Sequence, residues 1–218
     1  MRNLSIYDLD RTITIRPTYT PFLLFAARRL QPWRLMFLPI WLAAMVGYKA
    51  GLYRRVSLKE FGMRLFVGTR VDIVKMAEIT NAFVVRTVNH NIAPGAKKAI
   101  QADLEKGSML LMATAASELY AGGIAKALGF DDCLSTRQVR DANGDAIFRI
   151  LGENNYGAEK LRRIDTWILE QGLQREELRV TAYSDHASDA PLLNWADKAV
   201  LVGNYNAPVR NWETANWR

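Results

Sequence analysis

Leu4-Ser5-Ile6-Tyr7-Asp8-Leu9-Asp10-Arg11-Thr12-Ile13-Thr14 begins as an apolar strand pattern and ends in acid. In an extended chain residues i and i+2 share a face, so Asp8, Asp10 and Thr12 are expected to converge just beyond the strand end. Ligand crevices of open α/β sheets lie at such carboxyl ends. Two neighbouring carboxylates repel, which calls for a cation between them or a proton on one of them. Taken alone, the stretch reads equally as a strand followed by an acidic turn and a helix cap. The rest of the chain has to decide.

The chain has 218 residues, half of them hydrophobic and 10% aromatic, enough for a full core. Its formal net charge of +7 suits anionic partners without choosing among nucleic acid, membrane and phosphorylated small molecules. The basic residues come in scattered pairs such as Arg28-Arg29, Arg54-Arg55 and Arg162-Arg163, with no nucleic-acid-binding motif beside them, so no nucleic-acid partner is expected. The single Cys133 excludes an intramolecular disulfide and a multi-cysteine metal site, and fits a reducing compartment. With His90 and His186 as the histidines, a His-rich zinc site is not expected. Asp8, Asp10 and Arg11 interrupt any signal-peptide apolar region, and the expected location is cytoplasmic.

Residues 16–92 read as a mostly helical block. Thr20-Pro21 marks a helix start, and Pro32 a stop. Leu35–Tyr48 is a run of 14 residues without charge, interrupted by Pro39 and Gly47. A membrane span takes about 20 apolar residues. Three readings stay open for this run: a buried helix, an interfacial hairpin with Trp33, Trp41, Tyr48 and Tyr53 at headgroup level, and a short span. In the interfacial reading, residues 22–55 contact anionic membrane peripherally, on its inner face. Ser57 and Glu60 have the spacing of a capping box.

After Pro94-Gly95, strands and helices alternate. Met109–Ala113 is an apolar strand that runs into Thr114 and a small-residue turn, a place where backbone N–H groups and a hydroxyl can hold phosphate. Cys133–Arg140 and Ala146–Leu151 read as strands around an Asn143-Gly144 turn. Lys160 opens a helix. Leu178–Tyr183 is another strand, followed by Asp185 and Asp189, and Lys198–Val202 a last one. The tail gives no clear signal. The fold class expected is α/β, with a mainly parallel sheet whose strand ends share one edge.

The order of these features resembles the haloacid dehalogenase superfamily of phosphohydrolases. Its Asp-x-Asp-x-Thr motif is met by Asp8, Asp10 and Thr12, its Thr by Thr114, its lysine by Lys160 and its acidic motif by Asp185 and Asp189. The resemblance implies a Rossmann-like core at 1–15 and 93–218, with a helical cap at 16–92 inserted after the first strand, similar to the phosphoserine phosphatase-like subfamily. The apolar insertion looks like that of phosphatidylglycerophosphatase-type members. Two positions depart from the pattern: Arg11 stands where glycine is common, and Ser184 precedes Asp185 where glycine is common.

What the resemblance implies chemically is a Mg²⁺-dependent phosphomonoester phosphatase. Asp8 is then the nucleophile that forms an aspartyl-phosphate, and Asp10 the acid and base. Thr114 and Lys160 hold the phosphoryl oxygens, Thr12 fixes the turn, and the metal lies among Asp8, the Asp10 carbonyl, Asp185 and Asp189. The expected substrate is a phosphorylated small molecule or a phospholipid-type phosphate at a membrane surface. A soluble-metabolite phosphatase and a non-catalytic membrane- or partner-binding module are the alternatives.

Overall fold

A computed structural model of the chain describes residues 1–142, 145–203 and 211–218. Its first strand, β1 (Arg2–Tyr7), carries Leu4, Ile6 and Tyr7 fully buried and lies at the centre of the main sheet. A strand with apolar residues on both faces needs cover on both sides, and the chain supplies it with helices.

The inserted segment holds α1 (Tyr19–Leu30), a 3₁₀ turn at Pro32–Phe37, α2 (Leu38–Lys49), α3 (Arg55–Phe66), the short β2 (Arg70–Val71) and α4 (Ile73–His90). The chain enters it through Thr14–Arg16 and leaves through Asn91–Ala93. These two passages run antiparallel, with Ile15 N–H donating to Asn91 O (2.8 Å) and Ala93 N–H to Ile13 O (2.9 Å). Then come α5 (Pro94–Glu105), β3 (Met109–Ser117), α6 (Glu118–Ala127), β4 (Asp132–Thr136), β5 (Gln138–Arg140), β6 (Ala146–Ile150), α7 (Ala158–Glu170), β7 (Leu178–Ser184), α8 (Ala190–Trp195), β8 (Lys198–Val202) and β9 (Glu213–Ala215).

Among the described residues the main sheet runs β4-β3-β1-β7-β8-β9, every neighbouring pair parallel. One face is covered by α7 and α8 through Ile164, Trp167, Leu192 and Leu193. The other is covered by α5 and α6 and by helices of the insertion, α1 and α4 among them, through residues such as Phe22, Phe83, Ile100 and Tyr120. Phe22, Phe83 and Tyr120 meet with ring centroids 4.8–5.2 Å apart, so the insertion shares one continuous core with the sheet.

Several local expectations change. The tail adds a strand, because β9 pairs with β8 and Trp217 packs on Tyr183 with ring centroids 5.4 Å apart. The strand expected at Cys133–Arg140 is divided at Arg137 between two sheets: β4 joins the main one, and β5 joins β6 and β2 in a small antiparallel sheet. Segment 16–92 therefore contributes a strand as well as helices. The turn expected at Asn143-Gly144 lies outside the described residues. Ser57 does not cap α3, which starts two residues earlier; Glu60 instead accepts a hydrogen bond from Ile150 N–H (2.9 Å).

The uncharged run becomes the 3₁₀ turn plus α2, with Pro39 in the first helical turn, where its missing N–H costs little. No helix among the described residues is long and apolar enough to cross a membrane. Trp41 is buried, not at the surface, and lies against Gly62 of α3, where an added Cβ would stand 2.7 Å from its ring. The opposite side of the segment is open: Trp33, Met36, Ile40, Val46 and Leu52 are all about half exposed or more.

Candidate active site

Parallel pairing brings the carboxyl ends of β1, β3 and β7 to one edge. Asp8 follows β1 directly, and its N–H still bonds Tyr183 O (3.0 Å), so the strand geometry aims it past the sheet. Beyond it the chain stops being extended. Leu9–Ile13 coils into a wide turn closed by Thr14 N–H to Leu9 O (2.9 Å), with Arg11 at φ 63°. The alternation that would carry Thr12 to the site ends there. Thr12 is fully buried, away from the pocket, and its hydroxyl has no hydrogen-bond partner among the described residues. Thr14 fixes the turn instead: its Oγ1 donates to Leu9 O and accepts from Arg11 N–H.

Arg11 is the one non-glycine residue with positive φ among those described. That region costs an L-residue about 1 kcal/mol or more, which explains why glycine suits this position. Arg11→Gly is expected to raise stability by about 0.5–1 kcal/mol in urea denaturation, because the backbone strain is relieved while the turn's hydrogen bonds remain.

A cavity of about 260 Å³ opens at this edge, lined by Asp8, Asp10, Thr114, Lys160, Asp185 and Asp189 among others. All the site residues expected from the sequence except Thr12 therefore reach one place. Thr114 lies where β3 breaks register against β4, and its carbonyl is held by Asn155 Nδ2 (3.1 Å). Lys160, in the first turn of α7, is 1% exposed and donates to Asp8 Oδ1 (2.9 Å) and Asp189 Oδ2 (2.6 Å). Ser184, the second departure from the family pattern, donates to the same Asp189 oxygen (2.8 Å) and so helps to fix it.

Burial disfavours every charge here, and the partners decide the outcome. Burial opposes the Lys160 charge, but Asp8 and Asp189 outweigh it and hold the ammonium above its usual range. Burial raises Asp8 to about 7 against the pull of Lys160, with Asp189 adding to the rise. Asp10 is also raised by burial, against two hydrogen bonds to its Oδ1 from Thr18: N–H at 2.8 Å and Oγ1–H at 2.7 Å. Asp185 is raised by burial, with His186 and Arg11 opposing.

Asp8 and Asp189 thus share the buried Lys160 ammonium, and Asp10 and Asp185 line the same cavity. Their oxygens suit a hard divalent cation in kind, and Asp189 Oδ1 is buried without a hydrogen-bond partner among the described residues. No three carboxylate, imidazole or thiol groups among those residues are gathered around one point, so carbonyl, water or substrate oxygens would complete the shell of an ion held here.

Three neighbours of the site were not foreseen. Thr18 grips Asp10, and the signal for it was the polar stretch before Pro21. Arg55 lines the pocket from the N-terminus of α3, with its guanidinium 4.0 Å over the Tyr156 ring. Lys59 donates to Ala115 O (2.5 Å) and to Asn154 Oδ1, and burial beside Arg55 lowers it to about 7. Nothing in the spacing of Arg55 or Lys59 marks them, because the insertion's fold alone carries them there.

A family model described as haloacid dehalogenase-like hydrolase matches residues 6–194. Phosphoserine phosphatase SerB1 of Mycobacterium tuberculosis is 29% identical over 130 residues, which are 57% of this chain and 41% of that protein. The match thus spans about two fifths of SerB1. Histidinol-phosphatase of Neisseria meningitidis is 21% identical over 150 residues, 66% of this chain and 68% of that one. Among solved structures, a protein of unknown function from Bordetella pertussis Tohama I superposes with a TM-score of 0.88 at 21% identity, covering 100% of both chains. A substrate-bound phosphoserine phosphatase complex superposes with a TM-score of 0.63 at 15% identity, covering 93% of this chain and 86% of that one. At such identities the superpositions show a shared fold.

Proposed function

The chain belongs to the haloacid dehalogenase-like hydrolases, and from that premise we propose that it is a Mg²⁺-dependent phosphomonoester phosphatase working through Asp8. The observation that carries this reading is the placement of Asp8, Asp10, Thr114 and Lys160 on one cavity, with Asp10 gripped by Thr18. Asp8 attacks phosphorus; the bond to the ester oxygen breaks, and that oxygen takes a proton from Asp10. Burial raises the pKa of Asp10, the direction a general acid needs. Asp10 then removes a proton from water, which displaces Asp8 and releases inorganic phosphate. Thr114 and Lys160 hold the phosphoryl oxygens. Asp8, Asp10 through its carbonyl, Asp185 and Asp189 would hold Mg²⁺, which when bound offsets the charge of phosphate and carboxylates. Segment 16–92 serves as the cap, delivering Arg55 and Lys59 to the site.

Phosphate release from a simple aryl phosphate is expected with Mg²⁺ and is expected to fall to background with EDTA, returning when Mg²⁺ is restored. No release in the presence of Mg²⁺ overturns the reading.

A finer reading places the enzyme on anionic membrane. No Asp or Glu occurs between Asp10 and Glu60, while Trp33, Met36 and Val46 are exposed in the same segment, beside cations such as Arg28, Arg29 and Lys49. An apolar face with cations at its flanks matches a lipid interface. The protein is expected to sediment with anionic vesicles and less so in high salt or after Met36→Asp with Val46→Asp. Equal recovery with and without anionic vesicles returns the reading to a soluble-metabolite phosphatase.

A further inference from the structure

A second cavity, of about 210 Å³, adjoins the first. Both are lined by Asp10, Arg55 and Ala115, so Asp10 stands at the divide between them. On the far side the lining is Tyr19, Trp41, Met45, Tyr48 and Leu58. The polar tips of these residues are already engaged. Tyr19 OH donates to Lys59 O (2.6 Å), Trp41 Nε1 lies 3.3 Å from Thr20 Oγ1, and Tyr48 OH accepts from Arg55 Nε (3.1 Å). Lys59, which also lines the cavity, directs its ammonium to Ala115 O and Asn154 Oδ1. Arg55 donates from Nε to Tyr48 OH and lies over the Tyr156 ring, at the divide between the two cavities. What remains toward the cavity is largely ring and hydrocarbon.

An acid must stand beside the oxygen it protonates, so the body of the leaving alcohol lies next to Asp10. We infer that this second cavity receives the leaving group, and that the substrate is the phosphomonoester of an apolar or aromatic alcohol rather than of a charged one. The inference rests on the phosphatase reading and adds the substrate class to it. An apolar wall rewards each methylene it covers, while a charged leaving group loses hydration against it.

The test uses the full chain with Mg²⁺ and no vesicles, which separates the cavity from any membrane effect. Inorganic phosphate release is measured for ethyl, butyl and hexyl phosphate and for phosphoserine. The expected result is a kcat/KM that rises roughly two- to fourfold per added methylene until the cavity is filled, with hexyl phosphate ahead of phosphoserine by about tenfold or more. Met45→Trp, which fills the cavity, is expected to flatten the alkyl series, with thermal unfolding confirming the fold; the wild-type series decides on its own if that variant does not fold. A kcat/KM independent of chain length, or highest for phosphoserine, overturns the inference and leaves the phosphatase reading standing. No release from any ester overturns both.

Discussion

Asp8→Asn is expected to lower phosphate release by roughly 10⁴-fold or more while leaving the fold intact. The amide has the shape of the carboxylate but cannot attack phosphorus. Structure should survive for three reasons. The Asp8 backbone N–H still bonds Tyr183 O. Lys160 keeps Asp189. Burial already works against a charge at Asp8, so a neutral side chain is tolerated there. Phosphate release and thermal unfolding, measured on the same preparation, check the two halves. Activity near wild type in a folded Asp8→Asn protein would remove Asp8 from the mechanism.

Lys160→Met is expected to damage both stability and activity. The ammonium joins Asp8 to Asp189 in a site almost closed to water. Its removal leaves two buried carboxylates facing each other, a change that costs about 3–5 kcal/mol for a broken buried pair. The loss should depend on pH with a definite sign. Asp8 is already raised to about 7 with Lys160 lowering it, so without Lys160 its folded pKa lies higher still and above that of the unfolded chain. Between the two pKa values the folded form binds more protons, so stability falls as pH rises through that window. Urea denaturation in EDTA is therefore expected to show a larger deficit relative to wild type at pH 8 than at pH 5. Phosphate release at neutral pH should fall roughly 10²–10³-fold, the usual effect of losing one group that stabilises transition-state charge. A variant as stable as wild type at pH 8 would show that Lys160 does not balance these carboxylates.

Asp8, Asp10, Thr114, Lys160, Asp185 and Asp189 were all legible before the structure, because each lies at or near the end of an apolar run, or in the first turn of a helix, and those positions are local properties. Thr12 does not converge with Asp8 and Asp10, because strand alternation stops at Asp8. The left-handed Arg11 ends it, and no periodicity in the sequence signals a single positive φ. The β9 strand was missed because Glu213–Ala215 is short and polar; it becomes a strand by pairing with β8. Ser57 and Glu60 had the spacing of a cap, but α3 begins at Arg55 and Glu60 is taken by Ile150. A local signal lost to a tertiary contact.

The insertion shows the same division most clearly. Its lack of charge over Leu35–Tyr48 was plain in the sequence, yet three readings remained open. The 3₁₀ turn and α2 place Trp41 against Gly62 and Met36 and Val46 in solvent, so the run is neither wholly core nor wholly surface. The local pattern of the sequence alone determined that this chain is an α/β protein with acid at its strand ends, and it determined the order of the candidate site residues, since both follow from neighbours a few residues apart. Only the tertiary structure decided what surrounds those groups: Thr18 on Asp10, Arg55 and Lys59 beside it, and an aromatic wall behind. Such contacts join distant residues, as Lys59 and Asn154 are at 95 positions apart, and depend on how helices pack rather than on any local pattern.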